Sequence, residues 1–206
     1  MKDAKEGVKY NVSEHGSYDP MVSLSPYARV DGDRLKETKF VFRKAEELSR
    51  VIDNPGKLID VGSANGEFLH FLNSQPRLAA TDFIGIEVTP EFVSVAKSLL
   101  ANTRSKIIEE DVFSPQLNDL RGDIVTCLGN FPIFPDPTAV LNRLIEFASP
   151  GGIIIIDGRF NPNNISIITK YSDDSKAESS NVWRCDFNTH SEKSIQKILA
   201  SRDDVE

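Results

Sequence analysis

Between Lys57 and Asp157, short aliphatic runs alternate with stretches of helical periodicity, and few folds accommodate that alternation. Lys57–Val61 is a short apolar run, followed by glycine-punctuated sequence and the helix-like Glu67–Asn73. Asp82–Val88, Ser105–Glu109, Asp123–Leu128 and Gly152–Asp157 read as four further strands. Thr89-Pro90 opens a helix through Phe92, Val93, Ala96 and Leu99, with threonine as a candidate cap and proline at the first helical position. Asp136-Pro137 opens another, carrying Val140, Leu141, Leu144 and Phe147. Strands this short and continuously apolar are buried on both faces, which predicts a parallel sheet with helices on either side. Right-handed crossovers then make it a doubly wound α/β fold, with ligands expected beyond the carboxyl ends of the strands.

Outside this core, residues 1–33 hold turn formers and scattered aromatics and read as an N-terminal arm or cap, while residues 34–206 read as the domain. Arg34 to Arg50 has helical spacing. The net charge of −7 argues against a broad nucleic-acid surface, because neutralising phosphates needs clustered Lys and Arg. The longest aliphatic run, Ile153–Ile156, is far below the ~20 residues that span a bilayer, so no membrane segment is expected. The chain has 2 cysteines in no C-x-x-C pair and 3 histidines, which fit no zinc spacing, so neither a disulfide framework nor a metal site is expected. A reducing, cytoplasmic location is the default expectation.

The residues that end each strand carry the functional signal. Leu58-Ile59-Asp60-Val61-Gly62-Ser63-Ala64-Asn65-Gly66 runs from the first strand into a turn of small residues. Small side chains let a ligand approach backbone N–H groups, and the following helix N-terminus favours negative charge. Glu87 ends the second strand, where a carboxylate can accept bonds from two ribose hydroxyls. Glu110-Asp111-Val112 follows the third strand, Leu128-Gly129-Asn130 the fourth, and Ser149-Pro150-Gly151-Gly152 leads into the fifth.

Taken in order, these pieces resemble the class I S-adenosylmethionine-dependent methyltransferases of small-molecule type, with Ala64 in place of the middle glycine of the family's turn. The resemblance implies a Rossmann-like methyltransferase fold with S-adenosylmethionine as cofactor. It places Asp60, Gly62, Ser63, Ala64, Gly66, Glu87, Asp111, Val112, Leu128 and Asn130 around that cofactor. Asp60 would face its ammonium and sulfonium end. Asp111 and the Val112 amide would take the adenine amine and a ring nitrogen, with Glu110 able to do the work of Asp111. The implied reaction is in-line methyl transfer to a small-molecule acceptor, with O-methylation of a sugar or metabolite as the first candidate. His15 and Asp157 are the candidate bases for an acceptor that must lose a proton.

This chain departs from the family pattern in two further places. The histidine often found after strand four is absent, and Asn130-Phe131-Pro132-Ile133-Phe134 resembles only loosely the Asn-Pro-Pro-aromatic motif of amino-group methyltransferases. Thr189 to Ile195 looks like a capping box opening a last helix, after which only Ser201–Glu206 remain. The C-terminal strands of the fold are therefore missing or altered. Either Ile165–Tyr171 and Asn181–Asn188 supply them in an unusual order, or the domain is truncated and strand five has an exposed edge. Truncation is the favoured expectation. His70 reads as a surface residue and His190 as a neighbour of the last helix cap. Two rival functions stay open: a truncated or degenerate non-catalytic cofactor- or partner-binding domain, and an NAD-dependent oxidoreductase. The second fits less well, because Gly62 to Gly66 lacks the G-x-G-x-x-G spacing. Oligomeric state is not legible.

Overall fold

The computed structural model describes residues 39–171, 184–185 and 187–205. Five parallel strands form the central sheet: β1 (Lys57–Val61), β2 (Asp82–Glu87), β3 (Ser105–Glu109), β4 (Gly122–Leu128) and β5 (Ala148–Asp157). Their order is β3-β2-β1-β4-β5, so the winding direction reverses between β1 and β4. Among the described residues five helices flank the sheet: α1 (Phe40–Leu48), α2 (Glu67–Asn73), α3 (Pro90–Leu99), α4 (Pro137–Phe147) and α5 (Glu192–Ala200).

Alternation along each strand divides the core into two layers. Ile59, Val61, Val125 and Cys127 face one layer and pack with Val140, Leu141, Leu144 and Phe147 of α4 and Ile195 of α5. Leu58 and Ile124 face the other and meet Phe68, Leu69 and Leu72 of α2, Val93 and Ala96 of α3 and Ala45 of α1. Consecutive strand residues serve opposite faces, which is why these strands read as unbroken apolar runs. α1 is held by charge as well as by packing: buried Glu46 accepts from Arg50 and Arg77 and so ties the helix to the turn after α2.

Helix ends depart from the sequence reading in two places. Asp136 caps α4 as expected, accepting from Thr138 N at 2.8 Å. Thr89 precedes α3 but makes no side-chain cap bond. The carboxylate of Glu87 takes the amides of Val88 and Thr89 instead, at 3.0 and 2.8 Å. For α5 the cap is Ser191, which accepts from Ser194 N at 3.3 Å. Thr189 is occupied by a two-way backbone bridge with Ile167.

The fifth strand begins at Ala148, ahead of the expected Gly152, because Ser149–Gly152 bulge out of the pairing between Gly122↔Ala148 and Ile124↔Ile153. Beyond β5, none of the described strands joins the main sheet, and β5 is its edge. Short β6 (Phe160–Asn161) pairs with β9 (His190–Ser191), and β7 (Lys170–Tyr171) pairs with β8 (Arg184–Cys185). Of the two stretches considered as replacement strands, the described pairs Lys170–Tyr171 and Arg184–Cys185 meet each other, apart from the main sheet.

Gly66 caps α2 at φ +80°, where an added Cβ would lie 2.9 Å from Leu100 Cδ1 and 3.2 Å from Ala96 Cβ. Gly129 has φ +77° with nothing within 4 Å of such a Cβ. Gly129→Ala is therefore expected to cost only the left-handed backbone penalty, about 1 kcal/mol. Gly66→Ala is expected to cost about 1–3 kcal/mol more for overpacking, both read from urea midpoints.

Candidate functional site

A cavity of about 320 Å³ opens at the carboxyl ends of β1, β2, β4 and β5, at the point where the winding reverses. Ligands of doubly wound sheets bind at such switch points. The turn after β1 forms its floor. Gly62 and Ser63 both donate to Ile86 O, at 2.8 and 3.1 Å, so the turn is drawn onto the end of β2. Ala64, where the family signature has glycine, sits at φ +46°, and its amide donates to Glu87 Oε2 at 2.9 Å. That bond offsets part of the left-handed strain an alanine carries. Glu87 is thus the hub joining β2, the glycine turn and the start of α3, with both carboxylate oxygens facing backbone amides.

Asp60, next to last in β1, is only 3% exposed. Burial, opposed by the Thr126 hydroxyl that donates to Oδ1 at 2.6 Å and assisted by the nearby charge of Glu87, pushes its carboxyl up to about 7. Asn130 reaches across from the end of β4 and donates to Val61 O at 2.7 Å. A Cβ on Gly62 would fall on its amide nitrogen, which explains the glycine. The Cys127 thiol, pushed well above its ordinary value by burial and then by Asp60 and Asp157, stays protonated and donates to Asn130 Oδ1. Ser63 Oγ is buried against the cavity with no hydrogen-bond partner among the described residues. Gly85 makes room for it, since a Cβ there would stand 2.5 Å from that oxygen.

Of the residues expected around the cofactor, Asp60, Gly62, Ser63, Ala64, Glu87, Val112, Leu128 and Asn130 line the cavity. Gly66 and Asp111 do not. Gly66 serves close packing of α2 on α3, and Asp111 accepts from Phe113 N at 2.8 Å within its own turn, while Glu110 borders the cavity. Asp157 lines the cavity at the end of β5, beside Leu128 in register. His15 lies outside the described residues.

The sequence reading missed several wall residues. Glu67, treated there only as a helix start, is buried against the cavity and pairs with Lys39 at 2.7 Å. Phe42, Phe92, Phe134 and Phe187 add an aromatic lining. His190 neighbours the α5 cap Ser191, as expected, and is in addition buried edge-on to Phe131, with centroids 5.5 Å apart. Among the described residues no group of three or more His, Cys, Asp or Glu side chains converges as a metal site would, and no helix is long and apolar enough to cross a membrane.

A methyltransferase domain profile matches residues 52–201. The chain belongs to the methyltransferase domain family. This methyltransferase domain is 22% identical over 158 residues to a ubiquinone biosynthesis O-methyltransferase of Leptothrix cholodnii, covering 75% of this chain and 62% of that protein. It therefore spans less than two thirds of that relative's length. Among solved structures it resembles DhpI in complex with S-adenosylhomocysteine, with TM-score 0.62, 14% identity and coverage of 92% of this chain and 86% of that one. It also resembles the N-terminal domain of EvdMO1 crystallised with S-adenosylhomocysteine and D-fucose, with TM-score 0.60, 14% identity and coverage of 80% and 73%. Those likenesses establish the Rossmann-like methyltransferase fold.

The raised carboxyl of Asp60 makes stability depend on pH. Between its ordinary value of 3.8 and about 7 the folded chain holds a proton that the unfolded chain has released. The stabilisation from that proton is complete below the lower value and is lost as pH rises through the upper one. Asp60→Asn is expected to flatten this loss, roughly a few kcal/mol, between pH 4 and 8 in urea denaturation.

Proposed function

We propose that this domain binds S-adenosylmethionine in the switch-point cavity and catalyses methyl transfer to a small hydroxylated acceptor. The observation that carries the reading is the floor of the cavity. Among the described residues, a buried carboxyl group without a cation, an unpartnered serine hydroxyl and a glycine turn lie together at the end of β1. The ammonium and sulfonium of the cofactor would supply the positive charge that Asp60 lacks, and Ser63 Oγ would gain a partner. Glu87 is suited to a ribose hydroxyl through Oε2, which accepts from Ala64 N alone and keeps a lone pair, whereas Oε1 already takes the amides of Val88 and Thr89. Glu110 and Val112 fall to the purine. When bound, the cofactor supplies an electrophilic methyl carbon on an activated leaving group.

The sheet order then leaves the ends of β4 and β5 for the acceptor. That side is lined by Leu128, Ile133, Phe134 and Phe187, with Asp157 as its titratable group. The protein's task is to align the acceptor oxygen and exclude water, and apolar walls do both. A hydroxyl must also lose its proton, which Asp157 is placed to accept. The cavity is acidic: Asp60, Glu67, Glu87, Glu110 and Asp157 line it, and Lys39 is paired with Glu67. Such a field disfavours carboxylate and phosphate acceptors and favours neutral ones. The D-fucose present with the EvdMO1 domain and the O-methyltransferase name of the Leptothrix relative agree with a hydroxyl acceptor.

Titration calorimetry with S-adenosylhomocysteine, using NADH as control, tests the cofactor. Saturable binding is expected, and its loss in Gly62→Trp and Glu87→Ala. A folded chain that ignores the ligand would sink the reading, and one that prefers NADH would support an oxidoreductase. S-Adenosylmethionine itself is expected to bind more tightly as pH rises through about 7, where Asp60 ionises, with the dependence absent in Asp60→Asn. With radiolabelled cofactor and a panel of sugars and phenols, Asp157→Asn is expected to lower kcat by about 10²-fold or more while leaving cofactor affinity unchanged. Binding without turnover on any acceptor would favour a non-catalytic domain.

A further inference from the structure

The cavity wall nearest β3 is held from behind by one residue of α4. Arg143 is 7% exposed, and its Nε donates to Val112 O at 2.8 Å while Nη2 donates to Ser114 O at 2.8 Å. Its Nη1 is fixed in turn by Asn118 Oδ1 at 3.1 Å and Glu146 Oε2 at 2.7 Å, and the guanidinium lies over the Phe147 ring. The carbonyl it grips belongs to the Val112–Phe113 peptide, whose N–H end is held by Asp111 Oδ1 at 2.8 Å. Both polar ends of that peptide are therefore occupied, and Val112, which lines the cavity, has no freedom to swing. A buried arginine spent on two main-chain carbonyls is costly to desolvate, and the preorganised loop is what it obtains.

We propose that Arg143 is a positioning residue that makes the purine end of the cavity selective for adenine; this rests on the cofactor reading above. Adenine offers an amine donor and a ring acceptor side by side, which suit the carboxylate of Glu110 and the backbone amide of Val112, both bordering the cavity. Hypoxanthine reverses the polarity at both atoms. A rigid pairing rejects the reversed base, whereas a loose loop re-forms around it. Phe113 also meets Phe134 edge-on, with centroids 6.0 Å apart, so the same brace reaches the wall assigned to the acceptor.

Calorimetry with S-adenosylhomocysteine, adenosine and inosine on wild type, Arg143→Met and Arg143→Lys tests the proposal, with thermal melting alongside. Wild type is expected to prefer adenosine to inosine. Arg143→Met is expected to lose about 10-fold or more in affinity for S-adenosylhomocysteine and adenosine, with inosine changed little, so the preference collapses. Arg143→Lys, able to keep one of the two carbonyl bonds, is expected to fall between. An unaltered adenosine-to-inosine ratio in folded Arg143→Met overturns the proposal, since a brace for stability alone lowers the melting temperature without moving that ratio. Should Arg143→Met not fold, an unaltered ratio in Arg143→Lys overturns it equally. Wild type that binds S-adenosylhomocysteine without preferring adenosine defeats this inference and leaves the cofactor reading standing. Wild type that binds none of the three defeats both.

Discussion

Two amides of the turn after β1, those of Gly62 and Ser63, share one carbonyl, Ile86 O of β2. Much else in the domain is arranged so that this shared bond can form. The chain must reverse from strand to helix within a few residues, so Gly62, Ala64 and Gly66 all take positive φ. The turn must lie flat on its neighbour strand, so Gly85 carries no side chain where Ser63 descends. Because the turn is pinned to β2, Glu87 at the strand's end comes within reach of Ala64 N. One carboxylate then organises the turn, its own strand end and the start of α3. The cavity is the space left above that junction.

The site is also where the fold gives up stability. Asp60 is buried with a single hydroxyl donor from Thr126 and a second carboxylate nearby, an arrangement that folding alone would not favour. Ser63 Oγ adds an unmet hydrogen bond. Ala64 adds left-handed strain. These costs cluster within five residues at the end of β1, although His70 Nδ1, Asn188 Nδ2 and His190 Nε2 are also buried without a partner among the described residues. Strain and unmet polarity gathered in one place are the physical mark of a site preorganised for something absent from the chain itself.

The sheet was legible because each strand's neighbours in sequence serve opposite layers, as Leu58 and Ile59 do. The turn residues were legible because their small size and order carry backbone information. What escaped depends on crossovers that no local window contains. Gly66 is a glycine on account of Leu100 and Ala96, a helix away. Thr89 looks like a cap, yet its side chain makes no cap bond, and its amide is held by Glu87 at the strand's end. Arg143 lies on the helix face that a periodicity reading assigns to the core, and only the register of α4 against the loop after β3 gives it a purpose. Glu67 looked like any acid in a first helical turn, and its burial comes from Lys39 and the closure of α1 over the cavity.

The least regular stretch of sequence builds the wall that the proposed reading assigns to the acceptor. After β5 the described residues pair in two-residue strands and one isolated bridge, and periodicity offers no guide there. Yet Asn188 N donates to Pro132 O at 2.8 Å, and its side-chain oxygen accepts from Thr169 N at 2.9 Å. His190, buried against Phe131, follows two residues later. These contacts seat the segment carrying Phe187 against the turn that carries Ile133 and Phe134, and all three border the cavity. The cofactor half of such a site answers to one molecule, so its residues follow a repeated pattern that sequence exposes. The wall proposed for the acceptor is assembled from irregular backbone fixed by a few buried polar bonds, and it can change without disturbing the sheet.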